Sequence, residues 1–115
     1  MKATIWHNNR CSNSRGALAL LQEAGADVEV IDYLATPPDP ATLRRLLDEM
    51  GLPARDLLRR KEAAYAELGL DRHLDDDAAL VQAMAAHPAL INRPIVRTAK
   101  GTALCRPPET VRTLL

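Results

Sequence analysis

Cys11 is the residue best placed to do chemistry. The apolar run Ala3-Thr4-Ile5-Trp6 precedes it, and Ser12-Asn13-Ser14-Arg15 and an Ala/Leu-rich stretch follow. That order puts the thiol at a strand-to-helix turn, at the amino end of a helix. There the unpaired backbone N–H groups and the helix dipole favour negative charge. A thiol so placed tends towards the thiolate, which is the nucleophile. Ser14, three residues on, can turn its hydroxyl to the sulfur, and Arg15 adds positive charge. His7 is a further source of charge, and Asn8 and Asn9 can hold the turn through side-chain hydrogen bonds to the backbone. An inert cysteine would be a small buried hydrophobe. The polar neighbours of Cys11 argue against that.

Cys11-Ser12-Asn13-Ser14 has a serine where a dithiol oxidoreductase carries its resolving thiol. A redox cycle at Cys11 must therefore borrow a thiol from outside or use Cys105. A Cys-x5-Arg phosphatase loop is absent, because position 17 is Ala. Cys105, beside Arg106, reads as a strand residue half buried against a helix, and a Cys11–Cys105 disulfide stays open.

Arginine offers a planar set of donors that suits tetrahedral oxyanions. Arg59, Arg93 and Arg106 lie beside backbone-shaping residues rather than on plain helix faces. Taken one at a time, each reads as a solvated surface charge. Arg93 precedes Pro94, and a cis bond there would aim the preceding backbone at a particular place.

The elements that must position these groups follow from periodicity. Residues 3–7 read as a strand and 14–24 as a helix stopped by Gly25. Residues 28–33 alternate as a second strand, which makes a β-α-β unit with a parallel pair. Asp39 caps a helix that opens with Pro40 and lines one face with Leu43, Leu46, Leu47 and Met50. Pro53 opens a shorter helix, and Lys61 to Gly69 reads as a loop with a turn of helix. Asp75 or Asp76 caps another helix, ending before His87-Pro88. Residues 94–98 and 102–105 read as an antiparallel hairpin, followed by a short helix from Pro107. The fold class is α/β: a βαβ half, helices, then a ββα half, in a single domain of residues 1–115.

Lys+Arg and Asp+Glu balance at 15 each. That gives no basic excess for nucleic acid or a membrane surface. No apolar run is long enough to span a bilayer, and the first residues lack a signal peptide's apolar region. A cytoplasmic location is expected. Two cysteines make neither a disulfide framework nor a zinc site, and no carboxylate cluster has metal-ligand spacing.

Together these segments resemble the glutaredoxin-dependent arsenate reductase family. The match runs through His7-Asn8-x-x-Cys11-Ser12-x-Ser14-Arg15, Asp32-Tyr33-Leu34, Thr36-Pro37-Pro38 and Leu57-Leu58-Arg59. It continues through Tyr65-x-Glu67-Leu68-Gly69-Leu70, His87-Pro88, Ile91-Asn92-Arg93-Pro94-Ile95-Val96 and Leu104-Cys105-Arg106-Pro107. In length the chain is similar to the shorter members. The resemblance implies a thioredoxin-like fold: a sheet of about four strands with a helical insertion between its βαβ and ββα halves. It implies that Cys11 is the nucleophile and that Arg59, Arg93 and Arg106 clamp the oxyanion. His7, Ser12, Asn13, Ser14 and Arg15 would bind the oxyanion or stabilise the thiolate, and Pro94 would be cis.

The activity implied is reduction of arsenate to arsenite through a Cys11–arsenate adduct. Glutathione is the co-substrate, glutaredoxin the protein partner, and no cofactor or metal is bound. A monomer is expected. Two other readings stay open on the same fold. One is a glutathione-linked thiol oxidoreductase acting on disulfides. The other is a non-enzymatic regulator that binds a protein such as RNA polymerase; Ser14 in place of a second cysteine argues against it.

Overall fold

The computed structural model describes residues 1–115. They form two compact units: Met1–Thr36 with Arg93–Leu115, and the intervening Pro37–Asn92. The first unit carries strand β1 (Lys2–His7), helix α1 (Ser12–Glu23) and strands β2 (Asp27–Asp32), β3 (Ile95–Thr98) and β4 (Gly101–Leu104). The second carries helices α2 (Pro40–Met50), α3 (Ala63–Glu67) and α4 (Asp77–Ala86). The α/β architecture expected from the sequence is present, with the helical segment inserted between β2 and β3.

The sheet order is β2-β1-β3-β4. β1 runs parallel to β2, with Ile5 opposite Val30 and His7 opposite Asp32. It runs antiparallel to β3, with Ile5 opposite Val96. The β3–β4 hairpin is antiparallel. Strand alternation sends Ala3, Ile5 and Val96 to one face. There they pack with Ala17 and Leu21 of α1, with Cys105, and with Val111 and Leu114 of the last segment. Each fully buried Ile or Leu contributes about 1.5–3 kcal/mol to folding, so this cluster is what fixes α1, and with it Cys11, against the sheet. On the opposite face the Arg97 guanidinium lies 5.2 Å from the Trp6 ring centroid, within cation–π range.

In the second unit Leu43, Leu46 and Leu47 of α2 and Leu80, Val81 and Met84 of α4 are buried. Asp39 caps α2 by accepting from Thr42 N–H at 2.7 Å. Asp76 caps α4 by accepting from Ala79 N–H at 3.0 Å. No helix is long and apolar enough to cross a membrane.

Several boundaries differ from expectation. Helix α1 begins at Ser12, two residues early, because Cys11 itself occupies the N-cap. The segment after Pro53 is one 3-10 turn, Ala54–Asp56. The final helix, Pro108–Leu114, is 3-10. Prolines 107 and 108 have no N–H to give, and the bonds that do form, such as Thr110 N–H to Pro107 C=O, span three residues. The last strand starts at Gly101 and ends at Leu104.

Candidate active site

Cys11 has extended backbone angles (φ −93°, ψ 124°), and the residues after it turn helical. An N-cap side chain faces the N–H groups of the second and third helical residues, here Asn13 and Ser14. The sulfur thus stands where a Ser or Asp oxygen would ordinarily cap the helix. The resting thiol closes no full cap hydrogen bond, yet both N–H groups lie close enough to favour its charged form.

Five influences compete at this sulfur. Burial disfavours the thiolate and is the largest single influence. Against it act the Ser14 N–H, a hydrogen bond from the Arg93 side chain, the Asn13 N–H and the Arg93 charge. Together they win, and the thiol pKa falls to about 7. The thiolate, the nucleophilic form, is therefore far more accessible near neutral pH than in a free cysteine.

Arg106 reaches the same sulfur from the far end of the chain. Its Nη1 lies 3.7 Å from Cys11 Sγ and donates to the Arg93 carbonyl at 2.9 Å. The sulfur contact is long, and Arg93 is the arginine that lowers the thiol pKa. Arg93 sits where the chain enters β3, and the Arg93–Pro94 bond is cis. The Arg106–Pro107 bond is cis as well, which the sequence did not single out. The first unit thus brings Cys11, Asn13, Ser14, Arg93 and Arg106 together around one thiol.

Other expected site residues are placed differently. The Ser14 hydroxyl, buried completely, accepts from Asn8 N–H at 3.3 Å rather than turning to the sulfur; its backbone N–H serves the thiolate instead. Ser12 is exposed. Arg15 is exposed and turns back on the loop, donating from Nη1 to the Asn9 carbonyl at 2.9 Å. His7 is buried, and its Nδ1 makes no hydrogen bond. Arg59 belongs to the second unit. Its N–H donates to the Leu90 carbonyl at 2.7 Å, its Nε pairs with Glu62 at 3.2 Å, and its Nη1 donates to Asn92 Oδ1 at 3.4 Å. Arg60 beside it is exposed.

Both thiols are free. Cys105 lies fully buried in the sheet-and-helix core, and burial pushes its pKa up to about 12. Its S–H points at the Ala103 carbonyl, 3.7 Å away. Cys105 is thus held as an inert thiol despite its neighbour Arg106. No group of three or more His, Cys, Asp or Glu side chains gathers closely enough to hold a metal ion.

The chain is similar to an arsenate reductase of Neisseria meningitidis, 47% identical over 112 residues, with 96% of each chain covered. An arsenate reductase of Escherichia coli K12 is 45% identical over 112 residues, covering 97% of this chain and 79% of the relative. Among solved structures, an arsenate reductase from Vibrio cholerae superposes with a TM-score of 0.94 at 45% identity, covering 100% of this chain and 98% of that one. The fold is that of the thioredoxin-like arsenate reductases. The ArsC family model matches residues 6–114, a span that holds Cys11 and all three arginines. The chain belongs to the ArsC family.

Proposed function

We propose that this protein reduces arsenate to arsenite through a covalent Cys11–arsenate intermediate, with glutathione and glutaredoxin as external reductants. The observation that carries this reading is the Cys11 thiol at the N-cap of α1, with Arg93 hydrogen-bonded to the sulfur, Arg106 Nη1 3.7 Å from it and the thiol pKa lowered. A helix amino terminus with two guanidinium groups favours a small oxyanion, and the nucleophile lies within the same cluster. Arsenate is the oxyanion that the relatives' names point to.

The Cys11 thiolate attacks arsenic(V) and forms an S–As bond. One As–O bond breaks, and its oxygen takes up protons and leaves as water. Arg93 and Arg106 offset the negative charge on the remaining oxygens through the transition state. Arg59 enters as the third clamp residue on the motif resemblance alone. Glutathione then displaces a second oxygen as water. A glutaredoxin thiolate attacks the glutathione sulfur, leaving two electrons on arsenic, which becomes arsenic(III). The two outside sulfurs end as a mixed disulfide. Water finally displaces Cys11, and arsenite leaves. Serine at position 14 fits this external supply, since no thiol lies there to resolve the adduct.

The test is arsenate reduction with glutathione and glutaredoxin by wild type and Cys11→Ser. Loss of all measurable turnover is expected of the variant. Full turnover by Cys11→Ser rules the mechanism out. The same proteins assayed on a mixed-disulfide substrate address the thiol oxidoreductase alternative; high activity there with none on arsenate replaces the present reading.

A further inference from the structure

The loop before Cys11 is organised by one side chain. Asn8 uses all four of its principal polar groups locally. Its C=O accepts from Cys11 N–H at 3.0 Å, and its N–H donates to Ser14 Oγ at 3.3 Å. Its Oδ1 accepts from Arg10 N–H at 3.0 Å, and its Nδ2 donates to Tyr33 Oη at 3.4 Å. The amide orientation is forced: only oxygen can accept from Arg10 N–H, so the NH2 group must face the tyrosine. The sheet brings these two residues together. His7 pairs with Asp32 at the parallel ends of β1 and β2, so the next residue on each strand, Asn8 and Tyr33, leave the sheet side by side. Tyr33 is 1% exposed and cannot swing away.

We propose that Asn8 and Tyr33 are positioning residues for the nucleophile: Tyr33 anchors the Asn8 amide, and Asn8 fixes the Cys11 and Ser14 ends of the turn. Asn8 holds Cys11 through the Cys11 backbone N–H. Each acts by holding the loop so that the Asn13 and Ser14 N–H groups stay aimed at it. The proposal rests on the reading of Cys11 as the nucleophile and assigns no substrate contact. Asn9, next in sequence, is exposed, and only its carbonyl is engaged.

The experiment is the pH profile of Cys11 alkylation by iodoacetamide, which needs neither arsenate nor glutathione. A protein that proved inactive on arsenate would still answer it. Cys105 stays silent because it is buried and protonated. For Asn8→Ala the inflection should rise by about one pH unit, cutting the alkylation rate at pH 7 about fivefold. Tyr33→Phe keeps the ring and should give a smaller shift in the same direction, while Asn9→Ala should match wild type. Thermal melts establish that each variant is folded. An unchanged inflection in folded Asn8→Ala overturns the proposal. If that variant does not fold, an unchanged inflection in Tyr33→Phe does so.

Discussion

Because Cys11 ionises more readily in the folded chain than in an unfolded one, its charge should stabilise the fold in a pH-dependent way. The perturbation is Cys11→Ser, which leaves a group at the N-cap that does not titrate in this range. The thiol falls from 9.0, the value of a free cysteine, to about 7 in the fold. A group with a depressed folded pKa stabilises fully above its unfolded pKa, and that contribution is lost as pH falls through the folded one. The ceiling for a shift of this size is about 2.7 kcal/mol. Linkage gives about 0.1 kcal/mol at pH 6, about 0.4 at pH 7 and about 1.9 at pH 8.5. Urea unfolding of both proteins under a non-thiol reductant, at those three pH values, reads this directly. Wild type should gain about 2 kcal/mol on the variant between pH 6 and pH 8.5, a relative midpoint shift of about 1–2 M urea. The buried Cys105 has the opposite effect above pH 9, but it is common to both proteins and cancels. A stability difference that stays flat with pH, or that shrinks as pH rises, refutes the thiolate account.

Arg93→Ala should lower kcat/KM for arsenate by about 10²–10³-fold, the scale of losing one donor at a developing oxyanion. Arg55→Ala should change it little, since Arg55 makes only an exposed ion pair with Asp75 at 3.6 Å; equal small effects in the two variants count against the clamp. Gly16→Ala should destabilise the protein by about 1 kcal/mol in urea unfolding, because overpacking outweighs the gain in helix propensity. A β-carbon there would stand 3.0 Å from Pro108 Cγ and 3.1 Å from its Cβ, and a rigid ring has little room to give; a net gain in stability shows that the contact yields.

The strand and helix order was legible because burial on one face leaves a period in the sequence. Ile5, Leu21, Leu43 and Val96 each follow it and each is fully buried. The thiol's place at a helix start was legible for the same reason. Details settled by local hydrogen bonds were not. Ser12, Asn13 and Ser14 all have cap chemistry, which hid the fact that Cys11 is the cap and moved the helix start by two residues. The direction of a hydroxyl has no periodic signature, so the turn of Ser14 towards Asn8 could not be read. β2 ends at Asp32, whereas Tyr33 reads as the end of the second strand and as a motif member. Its link to the nucleophile loop depends on strand register, and pairing His7 with Asp32 would have exposed it. Cys105, expected half buried in the last strand, lies just past it and is fully buried, and that burial raises its pKa despite the adjacent arginine.

The Arg106 guanidinium, joined to both the Cys11 sulfur and the Arg93 carbonyl, has a consequence for affinity. A long side chain free in solvent loses about 1–2 kcal/mol of rotational freedom when a ligand immobilises it. Here the contacts to Cys11 and Arg93 already impose part of that restriction on the folded chain. An oxyanion bound as proposed would meet a partner that needs little reordering, and a larger share of each new hydrogen bond would appear as binding.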